Sequence, residues 1–357
     1  MFVVMEGSNK NKRSYDIHKI AKNVDNEVDR LNAQVDLFWE QEFNLMLEAG
    51  LKDGMSVVEI GSGPGYITSK ILTYFPNCHV TQIEIDDYLL NYANQYLQSL
   101  GLKNFSQVNR SMLDTGFEDN CFDFAFCRLV LEHVPEPISA AWEVLRILKE
   151  DGIAVFIDND FGLHLTTYPY VSGLSDLYNA YCQQREDEGG HPRIGRQLPM
   201  VLQSAGYDDV QLHMVHAHNR LIGEEQFLKS EGIGIPAKLV NAGYLPSSTL
   251  STIAKDWSKL LKHQDRVIFR QLFMCWGKKN VDLLIDSETL KQRELKPLDA
   301  EQDSGINVAK TRKSPSQIIR SARPDIQALK GVLQSLLSLD EDIAPTTSFA
   351  ELGINSY

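Results

Sequence analysis

Glu59, Gly61, Gly63 and Gly65 stand at alternate positions in the run Val57-Val58-Glu59-Ile60-Gly61-Ser62-Gly63-Pro64-Gly65-Tyr66, and that spacing describes a ligand-binding turn. Glycines allow backbone torsions closed to other residues and let a ligand approach the main chain. A carboxylate two residues before the first glycine would repel a pyrophosphate and attract a ligand with a cationic amino-acid end. Downstream, the short apolar run 79–86 ends in acids, Glu84 and Asp86. A carboxylate about twenty residues past such a turn can accept both ribose hydroxyls of an adenosine. Glu84 is the first candidate for that role and Asp86 the second. A third apolar run, 121–128, leads into Leu131-Glu132-His133-Val134-Pro135-Glu136-Pro137, which offers a histidine beside a glutamate for proton transfer.

These side chains need a scaffold that brings the ends of several strands together. The pattern predicts strands at 57–60, 79–86, 121–128 and 152–158, with helices opening at 66–75 and spanning 138–148. A strand, a glycine turn and a helix form the nucleotide-binding corner of a doubly wound α/β sheet. Upstream, Leu31, Val35 and Phe38 recur at spacings of four and three, so the helical pattern from about 16 to 49 is amphipathic. Residues 161–195 carry Tyr168, Tyr170, Tyr178 and Tyr181 and the turn-rich stretch Glu188-Gly189-Gly190-His191-Pro192, and read as an insertion. A helix at 194–205 stopped by Gly206, an alternating strand at 210–217, helices within 227–261 and a last antiparallel strand at 266–277 complete the order.

Taken together, these elements resemble the class I S-adenosylmethionine-dependent methyltransferases, in outline over 30–280 and most specifically over 55–160. Glu132 and His133 lie in a segment similar to the L-E-H-V-x-x-P stretch of small-molecule members. Gly195-Arg196-Gln197-Leu198-Pro199, followed by Ala205-Gly206-Tyr207, is similar to their G-R-x-L-P and A-G-Y arrangement. The resemblance implies an α/β, Rossmann-like, seven-stranded and mostly parallel sheet with helices on both faces. It further implies an N-terminal helical lid over the cleft and an inserted helical region. It implies S-adenosyl-L-methionine as cofactor, held by Glu59, Gly61, Gly63, Gly65, Glu84, Ser111, Met112 and Arg128, and no metal. Ser111 departs from the aspartate that many members place there for the adenine amino group. A serine accepts a hydrogen bond without charge to strengthen it, and Asp114 is the substitute.

Methyl transfer from a sulfonium is an in-line displacement, so the acceptor is what needs a base. Among the nine histidines His133 is the first candidate. Glu132 would orient it, although neighbouring residues on a helix do not face each other. His191 is the second candidate and His164 the third, while His213 on a strand reads as structural. Tyr168 and Tyr178 are expected to wall the substrate pocket. Arg196 either meets a substrate carboxylate or phosphopantetheine phosphate or anchors its own helix. O-methylation of a hydroxyl is expected ahead of N- or C-methylation.

The net charge of -13 over 357 residues argues against nucleic acid as a partner. No apolar stretch reaches the eighteen or so residues of a membrane span, and the start lacks a signal-peptide core. Five cysteines without a C-x-x-C pair fit the reducing cytoplasm, with Cys121 and Cys127 expected as buried small hydrophobes. The domain reading is 1–29 tail and helix, 30–285 methyltransferase domain, 286–322 polar linker, and 323–357 a further element. There Ile326, Leu329, Val332, Leu333, Leu336 and Leu337 form one helical stripe ahead of Pro345 and Phe349-Ala350-Glu351-Leu352-Gly353-Ile354-Asn355-Ser356. This resembles the first helix and long loop of an acyl or peptidyl carrier domain, truncated one residue past Ser356, the serine that would carry phosphopantetheine in a complete carrier. The resemblance implies a carrier-tethered acyl or peptidyl substrate and other polyketide or nonribosomal peptide synthase modules as partners. The alternatives are a free-standing small-molecule methyltransferase and a degenerate spacer domain.

Overall fold

The structure, a computed structural model, describes residues 24–230 and 235–280. The N-terminal tail, the linker and the carrier-like segment with Ser356 lie outside the described residues. Five parallel strands make the body of the sheet: β1 (Ser56–Ile60), β2 (His79–Glu84), β3 (Phe105–Asn109), β4 (Phe122–Arg128) and β5 (Leu148–Asp158). Their order across the sheet is β3-β2-β1-β4-β5. In β1, Val58 pairs with Thr81 of β2 on one side and Ala125 of β4 on the other. Such a strand is covered on both faces, which is why its sequence is a continuous apolar run rather than an alternating one.

The sheet continues with β8 (Val267–Lys279), antiparallel to β5, with Asp158 opposite Phe273. The thirteen residues of β8 are long enough to serve three partners. β5 and then the short β6 (Leu165–Tyr168) run along one edge, and β7 (Tyr207–His218) lies along the other. The expected seven strands are therefore eight. The additional strand is β6, inside the insertion that was read as helical. Between β5 and β6, residues 159–164 leave the sheet edge and carry Asn159, Phe161 and His164 away from it.

Helices α2 (Tyr66–Tyr74), α3 (Asp87–Ser99) and α4 (Pro137–Ile147) follow β1, β2 and β4. Asp86 caps α3, accepting hydrogen bonds from the backbone N–H groups of Tyr88 at 2.9 Å and Leu89 at 3.2 Å. Proline opens α4, where its missing N–H costs nothing. The insertion contributes α5 (Leu174–Asp187), and α6 (Ile194–Ala205) ends on Gly206 at φ 100. After β7 come the short α7 (Asn219–Ile222), α8 (Glu224–Lys229) and α9 (Ile235–Asn241), then α10 (Ser247–Lys262). Cys127 is buried as expected, whereas Cys121 is half-buried because it precedes β4 in a surface turn. No helix among the described residues is long and apolar enough to cross a membrane.

Helix α1 (Val24–Ala49) lies across the sheet with Val28, Val35, Phe38 and Met46 on its buried face. One ion pair holds it there. Nε of Arg128, at the end of β4, donates to both oxygens of Glu42 at 2.9 and 3.0 Å, and Nη2 donates to the Gln34 carbonyl at 2.9 Å. Glu42 is fully buried, and removing one partner strands the other charge out of water. Glu42→Ala is expected to cost about 3–5 kcal/mol in denaturant unfolding, whereas the paired exchange Glu42→Leu with Arg128→Met recovers most of that loss.

Candidate functional site

A cleft of about 1240 Å³ opens at the C-terminal ends of β1, β2 and β4. Glu59, Gly61, Ser62, Gly63, Glu84, Ser111, Met112 and Asp114 line one part of it. Gly61 sits at φ +68, and a Cβ added there would stand 2.4 Å from Val130 Cγ2. At Gly63, φ is +51 and a Cβ would meet nothing within 4 Å, so a side chain there would enter open space.

The Glu59 carboxylate is buried and accepts from the Thr68 hydroxyl. Gln82 Nε2 donates to Thr68 Oγ1 at 2.9 Å, and Gln107 Nε2 donates to Gln82 Oε1 at 2.8 Å. This chain across β3, β2 and α2 fixes the orientation of the acid. Desolvation pushes the Glu59 carboxyl up to about 8, against the hydrogen bond from Thr68. Burial also raises Glu84, whose oxygens accept from the N–H groups of Gly63 at 3.0 Å, Ile85 at 2.8 Å and Asp86 at 3.0 Å.

These residues fit S-adenosylmethionine. Two desolvated carboxylates await a cation and hydroxyl donors, and the buried Ser62 Oγ has no hydrogen-bond partner among the described residues. Ser111 is exposed on the cleft wall, its hydroxyl accepting from Leu113 N at 3.2 Å, and Met112 is buried beside it. Two of the expected cofactor contacts are redirected. Arg128 lines the cleft, but its Nε and Nη2 are committed to α1. Asp86 spends Oδ1 on capping α3.

The other part of the cleft is walled by α1, α5 and α9, and here the structure reorders the histidines. His133 ends the 3-10 turn Leu131–His133, and its Nδ1 accepts from Arg185 Nη2. Burial and the Arg185 charge hold its imidazole down at about 3. A neutral ring whose acceptor nitrogen is taken cannot serve as the base. Glu132 Oε1 lies 3.7 Å from His133 Nε2, beyond a hydrogen bond, so the two do not form an orienting pair.

His191 is buried outside the cleft lining, its N–H donating to the Glu132 carbonyl at 2.9 Å. His164 does line the cleft, stacked on Phe161 at 4.5 Å and beside Tyr178 at 5.2 Å. His213 stacks on Trp276 at 4.1 Å, as a structural strand residue would. Tyr178 is a cleft wall as expected. Tyr168 is 62% exposed and packs edge-on against His263, so it walls nothing. Arg196 pairs with the buried Asp160 and so ties α6 to the loop after β5, which is its anchoring role.

Glu132 emerges as the central acid of this end. It is buried, lines the cleft and accepts from Asn159 Nδ2 at 3.0 Å. Desolvation pushes it up to about 7, against the hydrogen bond from Asn159 and the charges of Arg185, Arg270 and Arg30. Burial and the adjacent Glu132 charge lift Asp158 as well. Asn159 Oδ1 is buried in the same wall without a hydrogen-bond partner among the described residues.

Residues 58–156 match the family described as a methyltransferase domain. The chain carries an S-adenosylmethionine-dependent methyltransferase domain. It is similar to the demethylmenaquinone methyltransferase of Listeria welshimeri, 22% identical over 170 residues, 46% of this chain and 68% of that relative. The Staphylococcus aureus protein of the same name is 24% identical over 170 residues, 46% of this chain and 66% of the relative. A crystal structure of a SAM-dependent methyltransferase from Aquifex aeolicus aligns with TM-score 0.40 at 22% identity, covering 52% of this chain and 88% of that one. Haemonchus contortus phosphoethanolamine N-methyltransferase 2 with S-adenosyl-L-methionine aligns with TM-score 0.45 at 17% identity, covering 68% and 53%.

The methyltransferase domain also uses residues that sequence reasoning passed over. Gln82 and Thr68 carry Glu59, and the signal was available: a glutamine in the middle of a buried strand demands a partner. Asp36 on α1 accepts from Tyr66 at 3.0 Å and pairs with Lys70 at 2.8 Å, joining the lid to α2. Asn159, Arg185 and Lys238 carry no local motif. Among the described residues no cluster of three or more His, Cys, Asp or Glu could hold a metal.

Because Glu59 is protonated below about 8, a cationic ligand must expel that proton to gain its ion pair. Cofactor affinity is therefore expected to rise up to about tenfold between pH 6 and 7, where the cofactor's own ammonium stays protonated. Calorimetry in buffers of different ionisation enthalpy should register proton release, and Glu59→Gln should abolish the release and the pH slope.

Proposed function

We propose that this chain transfers a methyl group from S-adenosylmethionine to a hydroxyl of a small-molecule acceptor bound in the same cleft. The observation that carries the reading is the continuity of the cavity. Its 1240 Å³ runs from the glycine turn to Glu132 and the aromatic wall of α5. Small-molecule pockets span roughly 300–1,000 Å³, so this one has room for a cofactor and an acceptor together. The cofactor supplies an already activated methyl group. Glu59 would hold its ammonium, Glu84 its ribose hydroxyls, and Ser111 or Asp114 its adenine amino group.

The chain's own contribution is binding, orientation and one proton. Asn159 Oδ1 accepts from the acceptor, and Glu132 takes the proton that the hydroxyl loses as its oxygen bonds to carbon. A carboxyl held near neutrality by burial suits that task, since it is half ionised at working pH and accepts a proton readily. Helices α1, α5 and α9 restrict water at the reacting end, which strengthens every polar contact there.

The finer reading places the hydroxyl on an acyl or peptidyl intermediate tethered to a carrier, with other synthase modules as partners and the cytoplasm as location. Its support is the sequence of residues 323–357 alone. The relatives named for demethylmenaquinone favour the second reading, an untethered acceptor.

Calorimetric titration of the full chain with S-adenosylmethionine tests the first step, and Gly63→Val should abolish binding by filling the open space beside the turn. Heat-silent wild type would leave a non-catalytic spacer as the reading. For the chemistry, Glu132→Gln should bind cofactor normally and lose about 10²–10⁴-fold in kcat. The wild-type rate should rise with pH through about 7 as Glu132 ionises. Paired assays with carrier-bound and free hydroxyacyl thioesters separate the tethered from the untethered acceptor.

A further inference from the structure

We infer that the acceptor carries an anionic group, a carboxylate or a phosphate, that docks between Arg185 of α5 and Lys238 of α9, with its body against the aromatic side chains of the same wall. This deepens the reading above and rests on it for the acceptor's place in the cleft. Both cations line the cavity, and α5 and α9 pack against each other. Lys238 has no hydrogen-bond or ion-pair partner among the described residues; burial depresses its ammonium, the nearby Glu188 charge works against that, and the Arg185 charge adds to the depression. Arg185 shares one carboxylate, Glu188 at 3.0 Å, whose side chain is 47% exposed and therefore screened by water. The remaining acid of this wall, Glu132, is pushed up to about 7 by burial and so supplies only about half a negative charge near pH 7.

Two cations thus share the half-exposed Glu188 and a half-ionised Glu132 inside a cavity, in a chain whose net charge is -13. A half-buried lysine whose nearby acid is half-exposed and already paired to an arginine costs stability, and the cost is recovered when a ligand supplies further charge. Phe161, Tyr178 and Tyr181 line the same cavity as these cations, with the Phe161 and Tyr181 ring centroids 4.4 Å apart. Tyr181 also lies within electrostatic reach of both Glu132 and Arg185. An acceptor with an apolar or aromatic body and an anionic end would therefore present its hydroxyl toward Glu132 while its charge meets α9.

The test uses the full chain and three probes of one shape: benzoate, phenyl phosphate and the neutral benzamide, titrated by ligand-observed NMR at low ionic strength. The expected result is that at least one anion binds about tenfold or more tighter than benzamide, the scale of a charge-assisted hydrogen bond. The better of the two anions distinguishes carboxylate from phosphate. Lys238→Gln should erase the preference, and Lys238→Arg should keep it. Equal affinity for benzamide and both anions, or a preference that survives Lys238→Gln, would overturn the proposal. S-adenosylhomocysteine binding is read in a separate titration, so a failure of the cofactor reading appears there and leaves the anion preference to be judged on its own.

Discussion

The crevice that holds every functional side chain exists because strand order reverses between β1 and β4. From β1 the chain crosses to β2 and β3 on one side, and β4 is followed by β5 on the other. Right-handed crossovers then send the connecting helices to opposite faces, and the carboxyl ends of β1 and β4 are left uncovered between them. Glu59 is the penultimate residue of β1, and Glu84 ends β2, Arg128 ends β4 and Asp158 ends β5. No other part of the sheet brings so many strand ends within reach of one ligand.

In and behind that crevice carboxylates are taken out of water, and each is held by a different device. Glu42 has a guanidinium, Glu59 a hydroxyl backed by two glutamines, Glu84 three backbone N–H groups, and Glu132 an asparagine amide. The devices sort the acids by task. A salt-bridged acid ties the lid helix to the sheet and is closed to a ligand. Acids held by neutral donors remain short of compensating charge, and a cation or a proton fills that deficit. The same physics runs with opposite sign on the far wall, where Arg185 and Lys238 share the half-exposed Glu188.

The insertion between β5 and α6 is what makes the cleft deep. Residues 159–164 leave the edge of β8 before β6 rejoins it, and this excursion carries Asn159, Phe161 and His164 into the cavity. Helix α5 closes over them, and α1 approaches from the other side through the Asp36 contacts to Tyr66 and Lys70. A scaffold of buried strands therefore positions a pocket whose walls are loops and helices, the parts of a chain that vary most readily.

The doubly wound sheet, the glycine turn with Glu59, the Glu84 position and the cleft-facing Tyr178 were legible in the residues themselves. Each is written within a few consecutive positions: an apolar run, a turn that only glycine can make, an acid at a strand's end. The eighth strand, β6, was not legible, because four residues pair only by virtue of the length of β8. Neither were the fates of His133, His191, Arg128 and Arg196. Each depends on a partner far along the chain: Arg185 lies 52 positions from His133, and Glu42 lies 86 from Arg128. Sequence alone determined which residue types could bind and react, since local backbone geometry and side-chain chemistry travel with the residue. Only the tertiary structure decided which of them face the cleft and in which charge state, because burial and distant charges set both.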